Sequence, residues 1–388
     1  MSFVGIIGIL LSFVAFAWFT KQKNNNRLAL FLTIAALHII AAYIYYLFVQ
    51  NNDADTKLYY FDYYGFYENG FGLSTIFIVY ITQSALEIFG GSYLDYFFLY
   101  QALGVWGLAL VFRTIEEAAT ALGTNLPPLT IALMFLPGMY FWTAAIGKDA
   151  PLFLACALAV WSCFRLSNRW MWFGLAIAIM VLIRVHVALL TVVALLLALV
   201  AGRGVPNIAR IILLVAAMAG AGFLFATVQA ELRVDLSSVG SIANYVDQQT
   251  TAATRGVDNT LAKASFSVKL FSLLYRPFFI DSGGVFGIVA SIQNVIMVGI
   301  TFLLIRNFRL WAELFRGSLA IRFATIHFVT LYLMLAIMYY NVGLGLRQRE
   351  MATPALLVVF ATLYMVGAMR RKSVALASSG NAYAGVPA

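Results

Sequence analysis

Runs of apolar residues long enough to cross a bilayer recur along this chain from end to end, and they leave few architectures open. A bilayer core takes about 20 apolar residues per helix. Runs of that kind lie at 1–19, 28–49, 92–112, 127–146, 150–166, 170–184, 186–202, 209–228, 284–305, 319–340 and 351–369. Hydrophobic residues make up 63% of the chain and charged residues 11%, whereas a soluble domain carries roughly 25% charged residues. The mean hydropathy is +0.89. Soluble chains keep a polar exterior and rarely expose large apolar patches, so lipid must solvate most of these side chains. The expectation is an all-α, polytopic integral membrane protein with about eleven transmembrane helices. A single transmembrane domain covers 1–372, and the small-residue stretch 373–388 reads as a disordered cytoplasmic tail.

Basic residues set the orientation. With the amino terminus outside, the odd-numbered connections hold fifteen of the 25 basic residues, among them Lys21, Arg113, Arg169, Arg316 and Arg370. That is the bias of the positive-inside rule. The net charge of +9 is dispersed in small clusters between apolar runs, a pattern of topology determinants and not of nucleic-acid binding. The first run has no basic n-region and no small-residue cleavage site before Lys21, and so reads as a retained helix. Cys156 and Cys163 fall two helical turns apart in one apolar run, which argues against a disulfide or a metal site.

Two outer segments are long. The one at 50–91 is Tyr-rich, and its apolar run at 72–89, bracketed by Gly70, Gly72, Gly90 and Gly91, is expected to form a helix lying in the interface. The one at 229–283 contains Asn244, Tyr245, Asp247, Gln248, Gln249, Thr250, Thr251 and Arg255, a composition suited to a lid over a site.

Five polar constellations fall on this same outer face. In Asp53-Ala-Asp55-Thr-Lys57-Leu-Tyr59-Tyr60-Phe-Asp62 a carboxylate can deprotonate an acceptor hydroxyl. Asp53 and Asp55 could instead hold a divalent cation such as Mg or Mn; for a lone Asp-x-Asp the spacing by itself favours a solvated loop of mixed charge. Gly147-Lys148-Asp149 follows Leu136-Pro137-Gly138 with hardly any loop; an ionisable pair there is either functional or a snorkelling pair at a helix start. Arg184-Val185-His186 offers a planar fork for phosphate oxygens and a proton carrier, or merely ends a helix. Arg276, before Pro277 and Asp281, is a further phosphate ligand or an interface anchor. In Gly343-Leu-Gly345-Leu-Arg347-Gln348-Arg349-Glu350 two arginines sit at a helix start, where charge and unpaired backbone N–H groups both favour an anion. His38 and His327, inside apolar runs, read as hydrogen-bonded core residues.

Lys148, Arg184, Arg276, Arg347 and Arg349 thus share the side where cations are disfavoured, and one anionic ligand would account for them. A lipid-linked phosphate or pyrophosphate at the outer leaflet is the natural candidate.

An acidic motif in the first outer loop of a polytopic protein resembles the GT-C superfamily of membrane glycosyltransferases. The pattern Pro137…Phe141-Trp142…Gly147-Lys148-Asp149, Arg184-x-His186 and Arg347-x-Arg349…Pro354 is similar to bacterial exopolysaccharide and O-antigen polymerases. The acidic motif departs from many members in lacking an adjacent Asp-Glu pair. What the resemblance implies is a GT-C-like multi-pass protein of the bacterial inner membrane, active on its extracytoplasmic face. It would transfer a sugar or glycan from a polyprenyl-linked donor to a hydroxyl of a glycan or lipid-linked acceptor. By the same implication Asp53 or Asp55 is the catalytic carboxylate, and Arg184, Arg276, Arg347 and Arg349 neutralise the leaving phosphate. Lys148 and His186 assist them, with Asp149, Tyr59 and Tyr60 in support. Two other classes stay open. A flippase or transporter of lipid-linked saccharides would need a basic cavity too, with broken helices and midplane charges; a non-catalytic subunit of a polysaccharide synthesis complex would tolerate loss of any one of these residues.

Overall fold

The computed structural model describes residues 1–19, 25–202, 264–337 and 341–383, with isolated positions between 203 and 263. The lid residues expected between Asn244 and Arg255, and most of the run at 209–228, lie outside the described residues. Among the described residues every regular element is helical. That is the physical requirement of lipid, in which a backbone must satisfy its own hydrogen bonds.

The chain opens with α1 (Phe3–Phe19) and α2 (Asn25–Gln50). The outer segment follows, holding the short α3 (Asp55–Phe61) and α4 (Thr75–Phe89). The apolar run at 72–89 is therefore helical from Thr75 on. Helix α5 (Tyr93–Ala121) is the central post, buried along most of its length and packed on α1 and α2. Polar side chains fasten it to α1: Gln101 Nε2 donates to Ser12 Oγ at 2.6 Å, and Trp106 Nε1 donates to the Leu11 carbonyl at 3.0 Å. Interhelical hydrogen bonds serve as such links where water is scarce.

The run at 127–146 does not form one spanning helix. It is divided into α6 (Pro128–Ala132), a 3-10 turn at Leu133–Phe135 and α7 (Pro137–Trp142). Pro137 cannot donate a backbone N–H, and it keeps Leu136 extended, at φ −64° and ψ 119°. The freed backbone is re-satisfied from another helix, since Gly138 N–H donates to Gln293 Oε1 at 2.5 Å.

The remaining elements are α8 (Asp149–Cys163), α9 (Leu166–Ile183), α10 (Val185–Val200) and α11 (Phe266–Tyr275). Then come α12 (Gly284–Arg306), α13 (Phe308–Gly317), α14 (Leu319–Ile337), α15 (Val342–Arg349) and α16 (Thr353–Tyr383). Helix α16 carries on through 373–383, part of the stretch expected as a disordered tail. Helices α2, α5, α9, α12, α14 and α16 each contain a segment long and apolar enough to cross a membrane, which makes this a polytopic helical membrane protein. Helices α1, α8 and α10 are apolar but shorter. The outward faces are greasy, as at Trp170 and Met171 on α9 and Phe302 and Ile305 on α12, all largely exposed.

The buried histidines are core residues bridging helices. His38 Nε2 lies 3.0 Å from Thr143 Oγ1, and His327 Nε2 lies 2.9 Å from Thr191 Oγ1. At one end of the fold Arg113 and Arg169, both expected on the cytoplasmic side, meet on Glu117 at the far end of α5 from Tyr93. The other charged cluster forms where α3, α8 and α10 begin and α15 ends.

Candidate functional site

Each side chain of this second cluster comes from the first or last turn of a helix, or from the link between two. Asp55 opens α3, Lys148 and Asp149 open α8, Arg184 joins α9 to α10, and Arg347 sits in the last turn of α15. Polar residues at such positions leave the apolar helix bodies intact while their charged ends meet.

Arg347 is the hub. Its Nη1 donates to Asp55 Oδ2 at 2.9 Å, and its Nε donates to Asp149 Oδ2. The two carboxylates differ sharply: the Asp55 side chain is 57% exposed and the Asp149 side chain 8%. Asp149 is the built-in counter-ion, whereas Asp55 faces water and can be exchanged. The other Asp149 oxygen has no hydrogen bond and stands 3.8 Å from Arg184 Nη2. Among the described residues Arg184 Nη1 donates to the thioether of Met351, at 3.9 Å. The Arg184 side chain is 12% exposed.

Lys148 Nζ donates to Ser74 Oγ and to Thr75 Oγ1, each at 2.9 Å. Burial, reinforced by the charge of Arg184, lowers its pKa to about 8, against the pull of Asp55 and Asp149. The charges of Arg184 and Lys148 also act on His186, one residue into α10. Tyr59 is buried beside them, and burial followed by the charge of Asp55 pushes its phenol upward. Its ring lies against Gly147, whose φ is +147° and where a Cβ would come within 2.9 Å of the Tyr59 ring. Only glycine suits that backbone and that approach.

Other residues expected in the site lie elsewhere. Arg349 is buried and turns away from Arg347, its Nη1 donating to the Leu273 and Leu274 carbonyls at 3.4 Å and its Nε standing 3.8 Å from Glu350. Two positions apart on a helix, the two arginines point to nearly opposite sides. Burial raises the Glu350 carboxyl, opposed by Arg349, and Glu350 Oε1 accepts from Gln293 Nε2 at 2.9 Å. Arg276 pairs locally with Asp281 at 2.5 Å. Asp62 accepts the Phe66 and Tyr67 amides at 2.8 Å and closes a turn. Tyr60 donates to the Gly91 carbonyl at 2.8 Å, tying α3 to the start of α5. Asp53 is exposed.

Ser74, Thr75 and Tyr45 were not singled out by sequence reasoning. Tyr45 is buried in α2 within the field of Arg347, Asp149 and Asp55. The glycines at 70 and 72, just before two hydroxyl residues and an apolar run, were the available signal for Ser74 and Thr75.

The cluster can bind an anion. It can also offer the exposed Asp55 carboxylate as a proton acceptor beside it. In this arrangement one Asp55 oxygen is paired with the Arg347 guanidinium. Among the described residues no group of three His, Cys, Asp or Glu side chains converges as a metal set. No protein-family model matches the chain, and no curated protein or solved structure does either. The site is therefore read from its own chemistry.

Proposed function

We propose that the protein is a membrane glycosyltransferase or polysaccharide polymerase that moves a sugar or glycan from a polyprenyl-linked phosphate donor to an acceptor hydroxyl at the extracytoplasmic face. The observation that carries this reading is the bridge from exposed Asp55 through Arg347 to buried Asp149, with Arg184 and Lys148 beside it. It joins a proton acceptor to an anion seat, the two groups that such a transfer needs. Asp55 takes the proton from the acceptor hydroxyl as the new carbon–oxygen bond forms. The bond from the sugar to the phosphate oxygen breaks, and its electron pair leaves with the phosphate. Arg347, Arg184 and Lys148 stabilise the charge that gathers there. Asp149 holds the arginines in place.

A second reading, a flippase for lipid-linked saccharides, draws support from the discontinuous crossing at Pro137, since broken helices are common in transporters. Turnover separates the two. Purified protein in nanodiscs is given labelled polyprenyl-linked donors with an acceptor panel, and released lipid phosphate and glycan product are followed by mass spectrometry. Product formation that disappears in Asp55→Asn is the expected result. Tight donor binding with no turnover favours the flippase, and full activity in both Asp55→Asn and Arg347→Ala rejects this site.

A further inference from the structure

Helix α12 stops at Asn307, whose backbone is at φ −104° and ψ 24°, and α13 begins at the next residue. This short helix is two-sided. At helical spacing Arg309, Glu313 and Arg316 share one side, and Phe308, Trp311, Leu314 and Phe315 share the other, the pattern of a helix lying in a membrane interface. Helix α16 starts beside the Arg347 cluster and reaches α13 at its far end, where Arg370 pairs with Glu313. Between α12, α13, α14 and α16 lies an open groove of about 240 Å³, with Ile305, Phe308, Trp311, Phe328, Val329 and Val359 in its lining. The one hydroxyl that lines it among the described residues, on Thr325, accepts from Trp311 Nε1 at 3.3 Å. The Trp311 ring is also held between those of Phe308 and Phe315, with centroids 5.1 and 5.2 Å away. A groove without free polar groups takes hydrocarbon and rejects charge. Ile305, Phe308 and Val329 are exposed, so it opens sideways from the bundle.

The charge around this groove is one-signed. Arg306, Arg309, Arg316, Arg370, Arg371 and Lys372 are all exposed at this end of α12, α13 and α16, and the one carboxylate of α13, Glu313, is taken by Arg370. Among the described residues Arg306 and Arg309 have no ion-pair partner, and each adjoins a lining residue, Ile305 and Phe308 respectively. Topology by itself asks for basic residues at one end of the bundle, but not for an apolar groove beside them. A neutral lipid would fill the groove and leave both guanidinium groups bare, whereas a soluble anion would meet the arginines and leave the groove empty. One molecule that satisfies both carries a hydrocarbon chain and a negative headgroup. We propose that the groove holds an acyl chain of an anionic phospholipid, with the lipid phosphate on Arg306 and Arg309 and the Trp311 indole against the chain. A guanidinium fork matches phosphate oxygens, and the bilayer supplies both parts of the ligand together. This site is remote from the Arg347 cluster, and the inference is independent of the proposed function.

The test is quenching of Trp311 fluorescence by lipids brominated on the acyl chain, with the full-length protein in nanodiscs. Brominated phosphatidylglycerol is titrated into a phosphatidylcholine bilayer, and brominated phosphatidylcholine into the same bilayer in parallel. Subtracting the signal of Trp311→Phe isolates this indole from the other tryptophans. Phosphatidylglycerol should reach half-quenching at a mole fraction about tenfold lower than phosphatidylcholine, as expected for two arginines near a headgroup. The double variant Arg306→Gln/Arg309→Gln alters two exposed, unpaired side chains, so the fold is kept; its preference should shrink to within about twofold, with phosphatidylcholine quenching unchanged. Val329→Phe, at an exposed position of the lining, should weaken quenching by phosphatidylglycerol by narrowing the groove. Equal quenching by the two lipids in the unaltered protein would mean ordinary annular lipid and overturn the proposal, as would a preference that survives the double variant. Displacement of phosphatidylglycerol by millimolar glycerol phosphate would assign the arginines to a soluble anion instead. A dimer that Val329→Phe dissociates would assign the groove to a second copy of the chain, and either result overturns the lipid site.

Discussion

Arg347 Nη1 lies 2.9 Å from Asp55 Oδ2, although 292 positions separate the two residues in the chain. The contact joins the end of α15 to the first turn of α3, and the same guanidinium holds buried Asp149 through Nε. A fork with one permanent and one exchangeable carboxylate is suited to receiving an anion while releasing the group that acts next to it.

Removing either end of that contact should stop the chemistry; loss of exposed Asp55 should spare the fold, whereas loss of Arg347 also strips buried Asp149 of its partner and should lower the thermal midpoint. Asp55→Asn and Arg347→Ala are each expected to lower the turnover rate by about 10²–10⁴-fold, the range typical of a lost general base or a lost charge stabiliser. Arg347→Lys, which keeps the charge but loses the two-pronged geometry, should recover only a small part. Turnover in nanodiscs checks this, with size-exclusion profiles and thermal midpoints reporting the fold.

Asp149 differs from Asp55 in being buried between two arginines. Asp149→Ala leaves those guanidinium groups without their internal counter-ion, and breaking a buried pair in this way costs roughly 3–5 kcal/mol. A clear drop in thermal midpoint is expected for this variant and not for Asp55→Asn. Equal midpoints for the two would contradict the assigned roles.

The pH dependence should follow Lys148, whose pKa is lowered by burial to about 8. Because the shift is downward, the ammonium is present below about pH 8 and is lost as pH rises through it. Donor affinity should therefore fall on the alkaline side of pH 8. In Lys148→Arg the cation persists at higher pH, so that limb should move upward even if overall activity is reduced. An alkaline limb at the same pH in both proteins would assign the titration to another group.

The broken crossing predicts its own sensitivity. A Cβ on Gly138 would collide with Glu350 Oε1 and would come within 2.6 Å of Gln293 Oε1. Gly138→Ala should thus push apart the Gln293–Glu350 bond and cost about 1–3 kcal/mol, in the range of overpacked sites. Thermal unfolding of the variant in detergent or nanodiscs measures this, and an unchanged midpoint would mean the link at 136–138 is free to move.

Much of the fold was legible because hydropathy acts locally. The runs at 28–49, 170–184, 284–305 and 319–340 became α2, α9, α12 and α14 with shifts of a few residues at their ends. The run at 127–146 misled because its apolar composition outweighed Pro137, whose missing N–H could be tolerated only with Gln293 supplied from a helix some 150 positions later. The site was partly legible. Asp55, Lys148, Asp149, Arg184 and Arg347 do converge, yet Arg349 turns into the core and Arg276 stays with its neighbour Asp281. Helical geometry already held the first of these corrections, since residues two apart cannot share a face.

Composition and charge pattern alone determined that lipid is the solvent, that the chain folds as helices, and that the two ends of the helices differ in charge. These follow from terms acting within some 20 residues: the cost of an unpaired backbone in hydrocarbon, and the bias on basic loops. Only the tertiary structure decided which charges meet. Asp55, Ser74, Lys148, Arg184 and Arg347 lie on five separate stretches of chain, and their contacts depend on how α3, α4, α8, α9 and α15 pack. No local pattern encodes that packing, because a side chain's partner across the bundle is fixed by the shape of the whole.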